Sequence, residues 1–225
     1  VGRDALYTNS TGQYNTAVGH SVLGVNTTAA YNTAVGAYSL DANTTAGENT
    51  AVGFASLTAN TTGNRNTAIG KDALESNTTG ANHVAVGYHA LQANVDGASN
   101  TALGRSALEE NTTGNYNVAV GYYALEANTT AANNTAVGFK SLQVNTTGTA
   151  NCAFGTETLY SNTTGNYNTA LGIYSLYDNV TGNDNTAVGT NSLANNISNY
   201  NTAVGKDSLV TNTTGEAHVA IGRLA

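Results

Sequence analysis

Tyrosine is the residue type in this chain whose positions best suit binding chemistry. Tyr160, Tyr167, Tyr174 and Tyr177 fall in one short stretch, and 17 residues separate Tyr160 from Tyr177. Exposed aromatic rings can stack on sugar rings or anchor a protein partner. These four tyrosines are therefore candidate residues for binding a glycan or a receptor. A rigid surface cover in a subunit contact explains them equally well.

Other residues that could do chemistry are isolated from one another. Glu109 and Glu126 are also 17 residues apart, but hydrolysis by paired carboxylates needs a shared cleft, and two solvated turn residues explain them more simply. His83 and His218 lie 135 residues apart, whereas a metal site needs grouped ligands. We therefore predict no catalytic residue, no metal site and no cofactor, and we do not expect an enzyme.

The sequence Asn-x-Ser/Thr, the acceptor motif for N-glycosylation, occurs at twelve of thirteen equivalent turns. The exception is Asn94-Val95-Asp96. A turn that needs Asn and Thr for structural reasons produces the same motif whenever it is repeated. Both explanations remain open from the sequence, although an amide buried in the fold would be inaccessible to sugar transfer.

The spacing of 17 belongs to the whole chain, because the phrase NTAVG and its variants recur from one end to the other. The glycines that close it run from Gly2 to Gly222 in steps of 17, except for a step of 16 from Gly189 to Gly205. Numbered from that glycine as position 1, the repeat reads G-x-x-[SA]-L-x-x-N-T-T-G-x-x-N-T-A-V. A period this short is typical of one coil of a solenoid. We predict an all-β, parallel β-solenoid of thirteen 17-residue coils, forming a single domain over 1–225.

Stacked coils turn each repeated residue into a row of identical side chains. We expect the leucines at position 5 to fill the core and the asparagines at position 8 to hydrogen-bond between coils. The invariant glycine at position 1 predicts a positive φ or a close backbone approach, whereas position 11 needs only a small residue. Representative members of these rows are Leu40, Leu57, Asn26, Asn43, Asn60, Gly36 and Gly53.

The strand Thr-Ala-Val has two faces, and the sequence suggests which one is buried. Threonine at position 15 is replaced by Val84, Val118 and Val219, so positions 15 and 17 are predicted to face inward. The alanine between them, as in Ala34 and Ala51, never varies. That row is predicted to contact another backbone or subunit. So thin a core predicts a homo-oligomer.

Composition excludes several classes of protein. The net charge is −7 with only 7 Lys and Arg, so nucleic acid is not expected as a partner. Charged residues make up 9%, against about 25% in ordinary domains. Cys152 is the only cysteine and cannot form an internal disulfide, and no apolar run approaches the roughly 20 residues of a membrane span. The chain begins and ends inside a repeat, which predicts a segment of a longer fibre.

Two known functions of β-solenoids were compared with the repeat. Calcium-binding rolls use a nine-residue Gly/Asp repeat, which is absent here. Ice binding needs threonine at alternate outward positions, whereas the Thr-Thr pair is adjacent and the remaining threonine is predicted to lie in the core. Ice binding is kept as a weaker alternative to glycan or receptor binding.

The phrases HVAVG (83–87), NVAVG (117–121) and HVAIG (218–222) resemble a phrase in the head repeats of trimeric autotransporter adhesins. The full repeat also resembles repeats of bacteriophage tail fibres and bacterial surface proteins, and the similarity covers the whole chain. It implies a left-handed, homotrimeric β-roll, located on a virion or bacterial surface and used as a stiff spacer or adhesive shaft. The adhesin repeats are usually near fourteen residues, and no coiled-coil stalk, membrane anchor or chaperone domain is present.

Overall fold

The computed structural model describes all residues from Val1 to Ala225 and is an all-β solenoid. It contains no helix, and therefore none that is long and apolar enough to cross a membrane. The chain divides into two compact units, Val1–Asn115 and Tyr116–Ala225, which are described separately below. The same repeat runs through both.

Each repeat contributes one three-residue strand, formed by positions 15 to 17. The first unit contains β1 to β6 and the second contains β7 to β13. In chain order the strands are Thr16–Val18, Thr33–Val35, Thr50–Val52, Thr67–Ile69, Val84–Val86, Thr101–Leu103, Val118–Val120, Thr135–Val137, Cys152–Phe154, Thr169–Leu171, Thr186–Val188, Thr202–Val204 and Val219–Ile221.

Within each unit, consecutive strands pair in parallel and in the register that the repeat predicts. Ala34 pairs with Ala17 on one side and with Ala51 on the other. The 16-residue step keeps this register, because Ala187 still pairs with Ala203. The predicted parallel β-solenoid is therefore confirmed, and the missing residue must be absorbed outside the strand.

The coil turns at residues whose backbone lies in the left-handed region. Besides the position-1 glycine, with φ between 125° and 142°, positions 3, 5 and 13 have φ near 50° to 63°. Leu40, at position 5, has φ 51° although leucine disfavours that region by about 1 kcal/mol. Its N–H donates to the carbonyl of Ser56 in the next coil (3.1 Å). Bonds of this kind between coils hold the corners in place.

The position-1 glycines stack as predicted. A Cβ on Gly36 would collide with the backbone carbonyl of Gly53, and one on Gly53 with that of Gly70. Both the positive φ and the close approach therefore require glycine here. At position 11 the glycines do not have positive φ, and Ala29, Ala46 and Ala131 are buried in that row.

The core of each coil contains one large apolar side chain and two amides. Between the first and last repeats the leucines at position 5, including Leu40 and Leu57, are fully buried and stack as predicted. The position-8 asparagines between the first and last repeats are also fully buried: Asn43 Nδ2 donates to Asn26 Oδ1 (3.1 Å), and Asn60 Nδ2 donates to Asn43 Oδ1 (3.1 Å). Each amide also donates to the position-11 carbonyl of its own coil. We call this row the amide ladder.

A second asparagine row, at position 14, bonds the coils at a different corner. Asn66 Oδ1 accepts from the N–H of His83 in the next coil (3.0 Å), while Asn66 Nδ2 donates to the carbonyl of Gly80 (2.9 Å). One side chain thus satisfies a backbone donor and a backbone acceptor that the turn leaves unpaired. The repeat alone predicted bonds between coils only at position 8.

The predicted strand faces are wrong. Alanine at position 16 points inward and is fully buried at Ala34 and Ala51, whereas positions 15 and 17 point outward. Threonine and valine can replace each other at position 15 because an outward, partly covered site accepts either. Alanine is invariant because the narrow interior has room only for a methyl group, not because a subunit presses on it.

Candidate aromatic site

Three of the four tyrosines that were predicted to bind a ligand lie together on the second unit. Tyr160 and Tyr177 occupy position 6 of consecutive coils, and their rings stack with centroids 5.3 Å apart and planes 7° apart. Tyr174 meets Tyr177 edge to face at 5.6 Å. The 17-residue repeat produces the first contact, because equal positions in neighbouring coils are one strand spacing apart.

Tyr167 lies outside this cluster. It occupies position 13, where its backbone φ is 58° and its side chain projects from another corner, 64% exposed. No ring contact joins it to the other three tyrosines. Tyr167 was grouped with the other three because it is close to them in sequence. In the structure, the position of a residue within the coil decides which corner it occupies.

Four further residues extend the cluster and were missed by the sequence analysis. Lys140 Nζ lies 5.9 Å from the ring centroid of Tyr160 and 5.3 Å from that of Phe139. Phe139 stacks on Tyr122 (5.8 Å, 9°), which meets Tyr123 at 4.0 Å. These residues occupy positions 2 and 3. Aligning the repeats by position, rather than reading along the chain, would have found them.

The rings of this cluster cover one another. Tyr160 is contacted by Lys140 from the preceding coil and by Tyr177 from the following coil, so both neighbours lie against its ring. Partial burial, assisted by the negative charge of Glu157, raises the pKa of Tyr177 and keeps its phenol protonated. A ligand here would therefore meet ring edges and hydroxyl donors rather than a broad aromatic face.

The first unit has a comparable row at position 2, built from alternating rings and cations. Lys71 Nζ lies 5.9 Å from the ring centroid of Phe54 and 5.3 Å from that of Tyr88. The guanidinium of Arg105 lies 5.4 Å from Tyr88. Contacts between cations and aromatic faces contribute about 0.5–1 kcal/mol each at exposed sites. Both rows thus join neighbouring coils at the surface.

Beside this row, a histidine is placed between two carboxylates. His89 Nε2 lies 3.4 Å from Asp72 Oδ2, and His89 Nδ1 lies 3.0 Å from Glu109 Oε1. Ser106 occupies the same position in the next coil, so the types Asp, His and Ser follow one another in one row. Because both imidazole nitrogens face carboxylates, neither is left to take a proton from Ser106.

The arrangement does not form a metal cage either, because the two carboxylates approach different nitrogens of the ring. No group of three or more His, Cys, Asp or Glu residues in the chain is arranged to hold a metal ion. Glu109 and Glu126, the two carboxylates that are 17 residues apart, have separate partners. Glu109 contacts His89, and Glu126 accepts a hydrogen bond from Gln143. No ligand-sized cavity is found.

The asparagines of the glycosylation motif are the same side chains that build the amide ladder. In ten of the twelve motifs the asparagine is fully buried, whereas Asn9 and Asn212, in the first and last repeats, are partly exposed. An amide enclosed in this way cannot reach the active site of a transferase while the protein is folded. The geometry therefore favours the structural explanation of the motif.

His83 takes the place of a position-14 asparagine. It is 1% exposed, its Nε2 donates to the carbonyl of Gly97 (2.6 Å), and its Nδ1 accepts from the N–H of Asn100 (3.2 Å). These contacts reproduce those of Asn66 and assign the proton to Nε2. Burial lowers the pKa of His83 from 6.5 to about 4, so the ring is neutral.

Comparison with known proteins identifies no relative: no family model matches the sequence, and neither a curated protein nor a solved structure matches it. A proposal for its function therefore has to start from the geometry of its ladders, aromatic rows and strand faces.

Proposed function

We propose that this chain is a structural segment of an extracellular fibre, either a bacteriophage tail fibre or a bacterial surface adhesin. In this proposal it is a left-handed homotrimer that serves as a stiff spacer, holding a receptor-binding end away from its base, and it is not an enzyme. The observation that carries the proposal is the buried amide ladder, which bonds consecutive coils in both units and is broken only at the 16-residue coil of the second unit.

The ladder suits a mechanical role because several bonds resist any local opening. Asn43 and Asn60 are an example, because their side-chain amides are hydrogen-bonded to each other. The same two coils are joined by the N–H of Thr50, which donates to the backbone carbonyl of Asn66. Leu57 stacks on Leu40 between them. The chain also has only 7 Lys and Arg, so proteases that cut at basic residues find few sites. Resistance to local opening and to proteases is what an extracellular protein needs, so both features support the extracellular location proposed.

The mass of the chain in solution tests this proposal. We expect light scattering to give the mass of three chains at micromolar concentration, because the thin core favours association. Native mass spectrometry on the same sample should show the same stoichiometry. A stable monomer at these concentrations contradicts the trimer, and with it the fibre architecture implied by the resemblance.

Glycan or receptor binding is the second candidate, and the contact of Tyr160, Tyr174 and Tyr177 with one another supports it. On a glycan array, the signal should be lost when Tyr160→Ala and Tyr177→Ala are combined. Tyr167→Ala is the matched control, because this tyrosine lies at another corner. A blank array, or a signal that survives the double substitution, leaves the spacer role.

A further inference from the structure

The strands expose a continuous apolar face in each unit. Position 17 is Val, Ile, Leu or Phe in every strand, and its side chains are half-buried or exposed, for example 46% exposed at Leu103 and 50% at Leu171. Position 15 beside it is Thr, Val or Cys. Both rows point away from the core, so we call them together the strand face. Contiguous exposed apolar surface of this kind marks an interaction site.

The strand face is also free of charge. All 7 basic and all 14 acidic residues of the chain lie at other positions of the repeat. Because the chain carries a net charge of −7, two copies repel each other wherever their charged corners meet. At the strand face two copies can approach each other without that repulsion. This favours a second copy of this chain as the partner that covers the face.

The dimensions of the face agree with self-association. Six coils at about 4.8 Å, with a strand about 10 Å wide, give about 300 Å² per unit. Summed over its thirteen strands, the strand face measures about 600 Å² per copy, so a closed trimer would cover about 1,800 Å² in total, within the range of standard-size interfaces. A copy shifted by one coil would leave an end uncovered and continue into an open filament, whereas an unshifted copy closes the assembly.

We propose that the strand face is the surface through which copies of this chain associate, parallel and in register, so that each position-17 side chain lies beside its own equivalents. This inference rests on the self-association in the proposed function. It adds the surface and the register, which the mass of the assembly alone does not reveal.

The test uses opposite charges at one exposed position of the face. Ile69 is 40% exposed, so Ile69→Lys and Ile69→Glu place no charge in the core of the single chain. Each variant alone brings like charges together around the symmetry axis, and we expect association at least about 100-fold weaker. Mixing the two variants should partly restore the assembly, because two of the three contacts in a mixed trimer then pair Lys with Glu. Leu171→Lys and Leu171→Glu repeat the test in the second unit.

Thr62→Asp is the matched control. It adds the same charge as Ile69→Glu but at position 10, where the chain itself has Asp96, and it should leave the mass unchanged. Circular dichroism verifies that each variant is folded. If the parent chain associates but both Ile69 variants keep its mass, the strand face is not the interface, although the proposed function survives. Variants that dissociate and show no recovery of mass when mixed overturn the in-register arrangement.

A monomeric parent chain overturns the trimer and the interface together. In that case a freezing assay on the monomer tests the alternative ligand of the strand face. An outward array of threonine and valine could bind ice. Thermal hysteresis lost in Ile69→Lys and retained in Thr62→Asp would assign the strand face to ice and reject self-association.

Discussion

His83 shows what a position-14 side chain has to do. The site requires an acceptor for the N–H of the next coil and a donor for a turn carbonyl, and a neutral imidazole offers both on its two nitrogens. A protonated ring has only donors, so the N–H of Asn100 would lose its acceptor. The amide of asparagine has no such weakness, because it does not titrate.

This difference predicts a pH dependence that a single substitution removes. Burial holds the pKa of His83 at about 4 in the folded chain, below its usual 6.5. The unfolded chain therefore binds the extra proton first, and stability that is complete above pH 6.5 is lost as the pH falls towards 4. The loss amounts to up to about 3 kcal/mol. Comparing the unfolding free energy of the parent chain and His83→Asn at pH 7 and pH 4.5 measures it.

We expect His83→Asn to flatten this dependence while leaving stability at pH 7 nearly unchanged, because asparagine fills the equivalent site in most coils. His218→Asn is the control, since His218 occupies the same position in an exposed terminal repeat. An equal effect of both substitutions would show that the dependence has another origin.

At the scale of one coil, the 16-residue repeat shows how the amide ladder depends on coil length. Asn179 Oδ1 is buried and has no hydrogen-bond partner. In a regular coil the next position-8 amide would donate to it, but Asn196 Nδ2 donates instead to the carbonyl of Ser198 (2.9 Å). The strands on either side remain in register. The missing residue therefore interrupts the side-chain ladder and leaves the backbone ladder intact.

Restoring the residue should repair the ladder. Inserting Gly between Ser198 and Asn199 changes the turn to Asn-Ile-Ser-Gly-Asn-Tyr-Asn, which matches the repeat. We expect a gain of about 1 kcal/mol, the contribution of one satisfied buried acceptor, and a rise in melting temperature of about 2–4 °C. Differential scanning calorimetry measures both.

The control is the same insertion after Gly148, in a coil that already has 17 residues. It should lower the melting temperature, because Asn145 and Asn162 are already bonded there (2.7 Å). If both insertions lower stability to the same extent, the orphaned oxygen of Asn179 is not the defect inferred here.

Coil corners are the elements that sequence reasoning describes least well. Leu40 and its equivalents adopt φ near 50°, a region that leucine rarely occupies in proteins. A leucine in the sequence does not by itself predict this conformation. It is imposed by the coils on either side, because the corner must present its N–H to the next coil and its side chain to the core.

For the whole molecule, the balance between core and surface is unusual. The interior contains one leucine per coil together with alanine and two asparagines, while valines lie outside on the strand face. Charged contacts add little, since the ion pairs of Arg3, Arg65 and Lys206 are largely exposed. Hydrogen bonds between coils thus take over much of the role that apolar burial has in ordinary domains, and covering the strand face would supply the rest.

The sequence alone was sufficient for the repeat length, the parallel β-solenoid, the stacked leucines, the amide ladder and the positive φ of the position-1 glycine. Each of these features follows from placing equivalent residues one strand spacing apart, because the pattern of one repeat is then copied along the whole solenoid. The contact of Tyr160 with Tyr177 follows for the same reason. The second asparagine row could have been recognised in the same way, from the replacement of Asn by His83.

Only the tertiary structure decided which strand face lies inside and which tyrosines meet. Alternation along a strand separates two faces but does not say which one is buried. That depends on the space left between the strand and the leucine stack, which admits the methyl group of alanine and excludes valine. The corner occupied by Tyr167 likewise depends on how the backbone turns within the coil, and those turns are set by bonds to neighbouring coils rather than by the residues at the corner.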